Sequence, residues 1–135
     1  MSEIERSFLK VDTTEWPIVF LTTVGSPTDE QLREHLKDIE REVLQRGQKF
    51  VQIVDQRESE ILNAGQRAII AEHQATMEDH YASSCLGEAY VSDKKMQGVM
   101  IAVFWQAKPP YPYRFFESLE EAREWAHRLA PRWSR

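Results

Sequence analysis

Asp55, Arg57 and Arg67 are the residues whose types and spacing come nearest to chemistry in this chain. Asp55 closes the apolar run FVQIVD, residues 50–55, and Arg57 follows after one residue. In open α/β sheets, ligands and partners gather at the carboxyl ends of strands. A carboxylate and two guanidiniums at such an end, with Ser59 and Asn63 between them, would form a polar rim able to bind a partner or an anion. The same residues also read as an ordinary loop, in which Asp55 accepts backbone amides and pairs with Arg57.

Other chemistry is thinner. The four histidines are His35, His73, His80 and His127. Two ligands on one helix want a spacing of three or four residues. His73 and His80 lie two turns apart, roughly 10 Å along a helix axis, so no metal site is expected. Cys85 is the single cysteine, which excludes an internal disulfide, and it opens an apolar segment, as a buried structural thiol would. Nucleophile-elbow, P-loop and dinucleotide-binding motifs are all missing, and only five glycines are available to cradle a phosphate. No catalytic residue and no cofactor are assigned. An enzyme built on Asp55 and a histidine is the weakest of three functional readings.

The aromatic segment is the remaining candidate. Trp105, Tyr111, Tyr113, Phe115 and Phe116 surround Pro109, Pro110 and Pro112. Proline fixes φ, so a tyrosine carried on such a loop loses little entropy on binding. Trp105, Tyr111 and Tyr113 could line an apolar pocket or a protein interface, with Trp105 and Tyr111 forming a homodimer contact. They could equally be core and rigid connection.

Composition sets outer limits. The chain has 135 residues, 41% of them hydrophobic and 29% charged, with a formal net charge of −5. That suits one globular domain with a substantial core. An acidic balance argues against a nucleic-acid surface, which needs clustered Lys and Arg. The charged beginning MSEIERSF is no signal peptide. The longest apolar run, residues 99–105, is far short of the ~20 residues that span a bilayer. A cytoplasmic location is expected.

These candidates must be positioned by regular elements. Residues 8–12 and 18–24 (IVFLTTV) read as strands, with Trp16-Pro17 between them. Thr28 with Gln31 forms a capping box for a helix whose Leu32, Leu36, Ile39 and Val43 share one face and which ends at Gly47. Residues 50–55 are a strand and 56–62 a loop. Asn63 with Gln66 caps a helix running to Tyr81, and residues 85–92 form the next strand. Ser92 or Asp93 caps an apolar segment, residues 94–107, whose length favours a buried helix. A short strand over 113–116 and a helix capped by Ser118 with Glu121 complete the chain. The order β-β-α-β-α-β-α-β-α implies a mostly parallel sheet of four to five strands, with an N-terminal hairpin and about four helices, in one domain over residues 1–135.

That order, together with VDQR, AVFW, PPYPYR and the F-x-S-L-E-E-A run, resembles the STAS-like fold, and within it the SpoIIAA-like, or STAS/SEC14-type, group of small bacterial proteins. The likeness covers residues 8–129. It implies a non-enzymatic domain that regulates through protein contacts, as anti-sigma-factor antagonists do with a signalling partner. Some relatives bind nucleotides or apolar ligands instead, so a small-ligand or lipid-binding module is the alternative. The antagonists are switched by phosphorylation of a serine after the acidic strand end. On this chain Asp55 would take the strand-end position and Ser59 would be the nearest serine. The charged run DQRESE departs from the antagonists' pattern of serine followed by small residues.

Overall fold

The computed structural model describes residues 7–106 and 108–130, with side chains outside 104–106. Five strands form one sheet in the order β1-β2-β3-β4-β5: β1 (Phe8–Glu15), β2 (Ile18–Gly25), β3 (Phe50–Ser59), β4 (Cys85–Val91) and β5 (Tyr113–Phe116). β1 pairs antiparallel with β2, and every other pair is parallel. Parallel neighbours need crossovers. These carry α1 (Asp29–Glu42) with a 3₁₀ turn at Leu44–Arg46, then α2 (Ala64–Thr76) and α3 (Glu78–Ser84), then α4 (Lys94–Gln106). α5 (Leu119–Leu129) follows β5.

Caps set the helix starts. Thr28 accepts from the Gln31 amide while the Gln31 side chain accepts from Thr28, and Asn63 and Gln66 do the same for α2. Ser118 accepts from the Glu121 amide, the forward half of the expected box. Gly47, at φ 63°, takes the left-handed position that ends the α1 segment.

α5 packs against β3, β4 and β5 on one face of the sheet. There Ala122 and Ala126 are completely buried among Val51, Ile53, Ala89 and Val91. On the opposite face Leu32, Leu36 and Ile39 of α1 meet Val19, Leu21 and Phe50, together with Tyr81 and Tyr111. Alternation along the strands explains the division, because successive side chains point to opposite faces.

Three elements differ from the sequence reading. β3 continues to Ser59, so residues 56–59 are strand and not loop. After a bulge in β3, where Gln56 and Arg57 oppose Thr23, Val24 and Gly25 pair with Glu58 and Ser59. β4 stops pairing at Asp55, so the end of β3 is bonded on one side only, and a polar sequence suits it. The helix expected to run from Asn63 to Tyr81 breaks at Met77. A straight helix would separate His73 from Tyr81 by about 12 Å along its axis, whereas here the Tyr81 hydroxyl lies 2.8 Å from His73 Nε2. The third departure is α4. It begins as expected, with Asp93 accepting from the Met96 amide at 2.8 Å. It is not a buried helix: Met96 alone is buried among its described side chains, and Ile101 is 53% exposed.

Candidate functional site

The front face of the sheet carries polar groups in the middle of two of its interior strands. Central parallel strands are covered on both faces and normally read as unbroken apolar runs. Gln52 of β3 and Glu88 of β4 interrupt them side by side, since the register sets Gln52 against Glu88. Both are buried, at 2% and 3% exposure. The Glu88 carboxyl accepts from the Gln52 amide and from the hydroxyls of Tyr90 and Tyr111, the last at 2.9 Å. Burial pushes its pKa up to about 7 against the pull of the Tyr111 and Gln52 hydrogen bonds. The Tyr111 ring packs on Tyr81 at 5.8 Å between centroids. His73, bonded to Tyr81, also lies 3.8 Å from Glu40 through Nδ1. Burial lowers the His73 pKa, and Glu40 opposes the shift.

Above this floor lies a cavity of about 190 Å³. Its walls come from α1, α2 and α4, including Leu36, Ile70, Met96 and Val103. Four buried side-chain polar atoms have no hydrogen-bond partner among the described residues: His35 Nδ1, Gln52 Oε1, Gln56 Oε1 and Ser92 Oγ. The first three belong to residues that line this cavity. A buried polar atom without a partner costs about 1–3 kcal/mol, so three around one void need an explanation. Burial depresses the His35 pKa to about 4, so its imidazole is neutral at pH 7. Exposed Glu60, Ile61 and Arg67 line the same space and mark its mouth.

The residues singled out in the sequence fall in several places. Asp55 and Arg57 form a two-pronged ion pair, with Arg57 Nε 2.9 Å and Nη2 2.8 Å from the carboxylate oxygens. Asp55 also accepts from the Arg57 amide, and its carboxyl is held below the usual range by these bonds although burial opposes them. Ser59 ends β3 and donates to the Glu60 carbonyl at 2.8 Å. Asn63 caps α2, and Arg67 donates to the Leu62 carbonyl at 2.6 Å. Arg67 and Ser59 line the cavity, whereas Asp55, Arg57 and Asn63 do not. His35 and His73 line it without Asp55, so no carboxylate–histidine pair of the expected kind is assembled there. The Trp105 side chain lies outside the described residues. Tyr111 is not a surface tyrosine: it is 6% exposed, with its hydroxyl taken by Glu88. Tyr113 is half-buried, edge-on to Phe115 at 5.9 Å. Cys85 is buried and free. Sequence reasoning passed over Gln52, Glu88 and Tyr90; the available signal was a polar residue in mid-run of FVQIVD and CLGEAYV.

No family model matches the sequence, and no curated protein sequence matches it. The structure is similar to that of an uncharacterised protein of the DUF3478 family from Shewanella loihica PV-4, which has a SpoIIAA-like fold. The TM-score is 0.64 at 15% identity, over 89% of this chain and 93% of that one. The fold of this chain is therefore SpoIIAA-like, an α/β fold on a five-stranded sheet. No helix among the described residues is long and apolar enough to cross a membrane.

Proposed function

We propose that this protein is a non-catalytic module that holds a small, largely apolar molecule between its sheet and α4. The observation that carries the reading is the cavity of about 190 Å³ with three unpartnered polar atoms on its lining. An engineered apolar cavity of about 150 Å³ accepts benzene, so the space suits a ring or a short alkyl chain. Binding pockets of this kind are mostly apolar with a few fixed polar groups. Both oxygens of Glu88 are already engaged by three donors, which suits a structural floor and not a base awaiting a substrate. Native mass spectrometry of the protein purified from its host tests the reading. The expected result is a small-molecule adduct that disappears on denaturation and is lost in Val54→Phe, which fills the cavity. A clean mass in the wild type, with no adduct in any preparation, would sink it.

A regulatory protein-interaction domain is the second reading, in line with the usual role of the fold. Its support is the exposed, mixed-charge depression that Arg57 shares with Asp93, Lys94 and Glu117 beside the end of β3. Asp55, Arg57, Ser59, Asn63 and Arg67 would form the contact rim, with Ser59 as a modification point and a cytoplasmic signalling protein or a second copy as partner. In the same experiment, a stoichiometric co-purifying protein released by Arg57→Glu would favour this reading.

A further inference from the structure

From the chemistry of the cavity lining we infer that its occupant is a small amphiphile whose polar end donates hydrogen bonds, an alcohol or an amine, and not a carboxylate or phosphate. This deepens the ligand-binding reading and rests on it. Gln52 Oε1 and Gln56 Oε1 are both acceptors, both buried, and both without a donor. The Gln52 amide nitrogen is committed to Glu88, which fixes its carbonyl oxygen as the group left over. The two residues line the same cavity from β3, four positions and roughly 13 Å apart along the strand, so one small head group reaches one oxygen or the other.

Nothing buried on this lining offers an anion a matching set of donors. The Tyr90 and Tyr111 hydroxyls are spent on Glu88, and the Tyr81 hydroxyl on His73. His35 is uncharged, so it brings no positive charge to the lining, and its unpartnered Nδ1 offers one hydrogen bond at most. Glu88 would repel an anion whenever it is ionised. The cationic residue on the lining, Arg67, is exposed and donates to the Leu62 carbonyl, with Glu60 also at the mouth. A buried anion without donors is far costlier than a neutral alcohol, whereas an amine, an ammonium at pH 7, has the carboxyl groups of Glu88 and Glu60 on the lining to meet its charge. A donor head instead supplies what two orphaned oxygens lack, and the aliphatic walls take the rest of the molecule.

The test is a matched set of four probes of nearly equal size: toluene, benzyl alcohol, benzylamine and benzoate. Each is titrated into the full-length protein at pH 7 and followed by NMR at the Gln52 and Gln56 side-chain amides and the cavity methyl groups. Benzyl alcohol or benzylamine should bind at least tenfold more tightly than benzoate, with a shift at the Gln52 or the Gln56 side-chain amide. Gln56→Leu, a mild change near the mouth, or Gln52→Leu, which also removes a donor to Glu88, should shrink that preference several-fold, according to which oxygen the head group reaches. Benzoate binding as tightly as the alcohol and amine, or a preference untouched by both substitutions, overturns the donor-head inference alone. Failure of all four probes, toluene included, to perturb any cavity resonance removes the ligand-binding reading, and this inference with it.

Discussion

The two faces of the sheet are built from similar strands and finished differently. On the back, α5 sits close enough that Gly87 cannot be replaced without movement. A Cβ there would fall 2.7 Å from Leu129 Cδ1 and 2.9 Å from Trp125 Cη2. Two alanines, Ala122 and Ala126, let the helix axis approach the sheet. On the front, larger side chains from α1 and α2 and the half-exposed α4 stand off the sheet and leave a void floored by Gln52, Glu88 and Tyr90. A protein interior is close-packed wherever stability alone shapes it. The back meets that standard. The front departs from it where its unpartnered polar atoms collect, which points to selection for something besides stability on that side.

The sharpest way to break this contrast is to remove the same kind of atoms from each face. Ile53, fully buried under α5, should cost about 2–5 kcal/mol when replaced by alanine, the usual range for a packed core. Val103→Ala, on the cavity side of half-exposed α4, should cost under about 1 kcal/mol, because its neighbours already leave space. Urea unfolding of both variants checks the pair. Equal losses would mean that the front is packed as tightly as the back.

Protonation offers a second contrast, now within the front face. The folded pKa of Glu88, about 7, lies above its unfolded value of 4.5. Its contribution to stability is therefore full below about pH 4.5 and is lost as pH rises through 7. His35 runs the other way: its folded pKa, about 4, lies below 6.5, so its contribution is present above pH 6.5 and lost as pH falls towards 4. His73 shifts in the same sense as His35. Between about pH 4.5 and 6.5 the Glu88 and His35 slopes oppose each other. Glu88→Gln removes one of them. Relative to wild type, that variant should gain on the order of 3 kcal/mol between pH 4.5 and pH 8, and its own stability should fall steadily below pH 6.5. Denaturation midpoints of both proteins at pH 5, 6.5 and 8 measure it, and parallel curves would show that Glu88 titrates like a solvated carboxylate.

The back face was far more legible in the sequence than the front. Ser118 and the Ala122, Trp125, Ala126 and Leu129 spacing announce a capped amphipathic helix, and that is what packs there. The strands and their order could be read because central parallel strands are apolar runs. The cavity could not be read, because it depends on how far helices stand from the sheet. α4 shows the difficulty: a segment apolar nearly all round gives no periodicity to say which side is covered. Tyr111 stayed open between core and interface for a related reason. Prolines around a tyrosine suggest a presented loop, and only the three-dimensional position of Glu88 shows that the ring turns inward. Gln52 and Glu88 were visible as residues, but their meaning required knowing that both sit on one face of adjacent strands.

The smallest expected effect concerns the rim from which the sequence reading began. Arg57 and Asp55 make a well-formed pair, but the Arg57 side chain is 47% exposed, and exposed pairs contribute about 0–1 kcal/mol. Arg57→Ala should therefore lower stability by less than about 1 kcal/mol and leave the pH dependence of the front face unchanged, since Arg57 does not line the cavity. Thermal unfolding in low and in 0.5 M salt separates the possibilities. A loss that vanishes in salt fits a screened surface pair. A loss of several kcal/mol that persists in salt would make Asp55–Arg57 part of the scaffold, joining the end of β3 to its core and erasing the distinction between a rim free to meet partners and a sheet that only supports it.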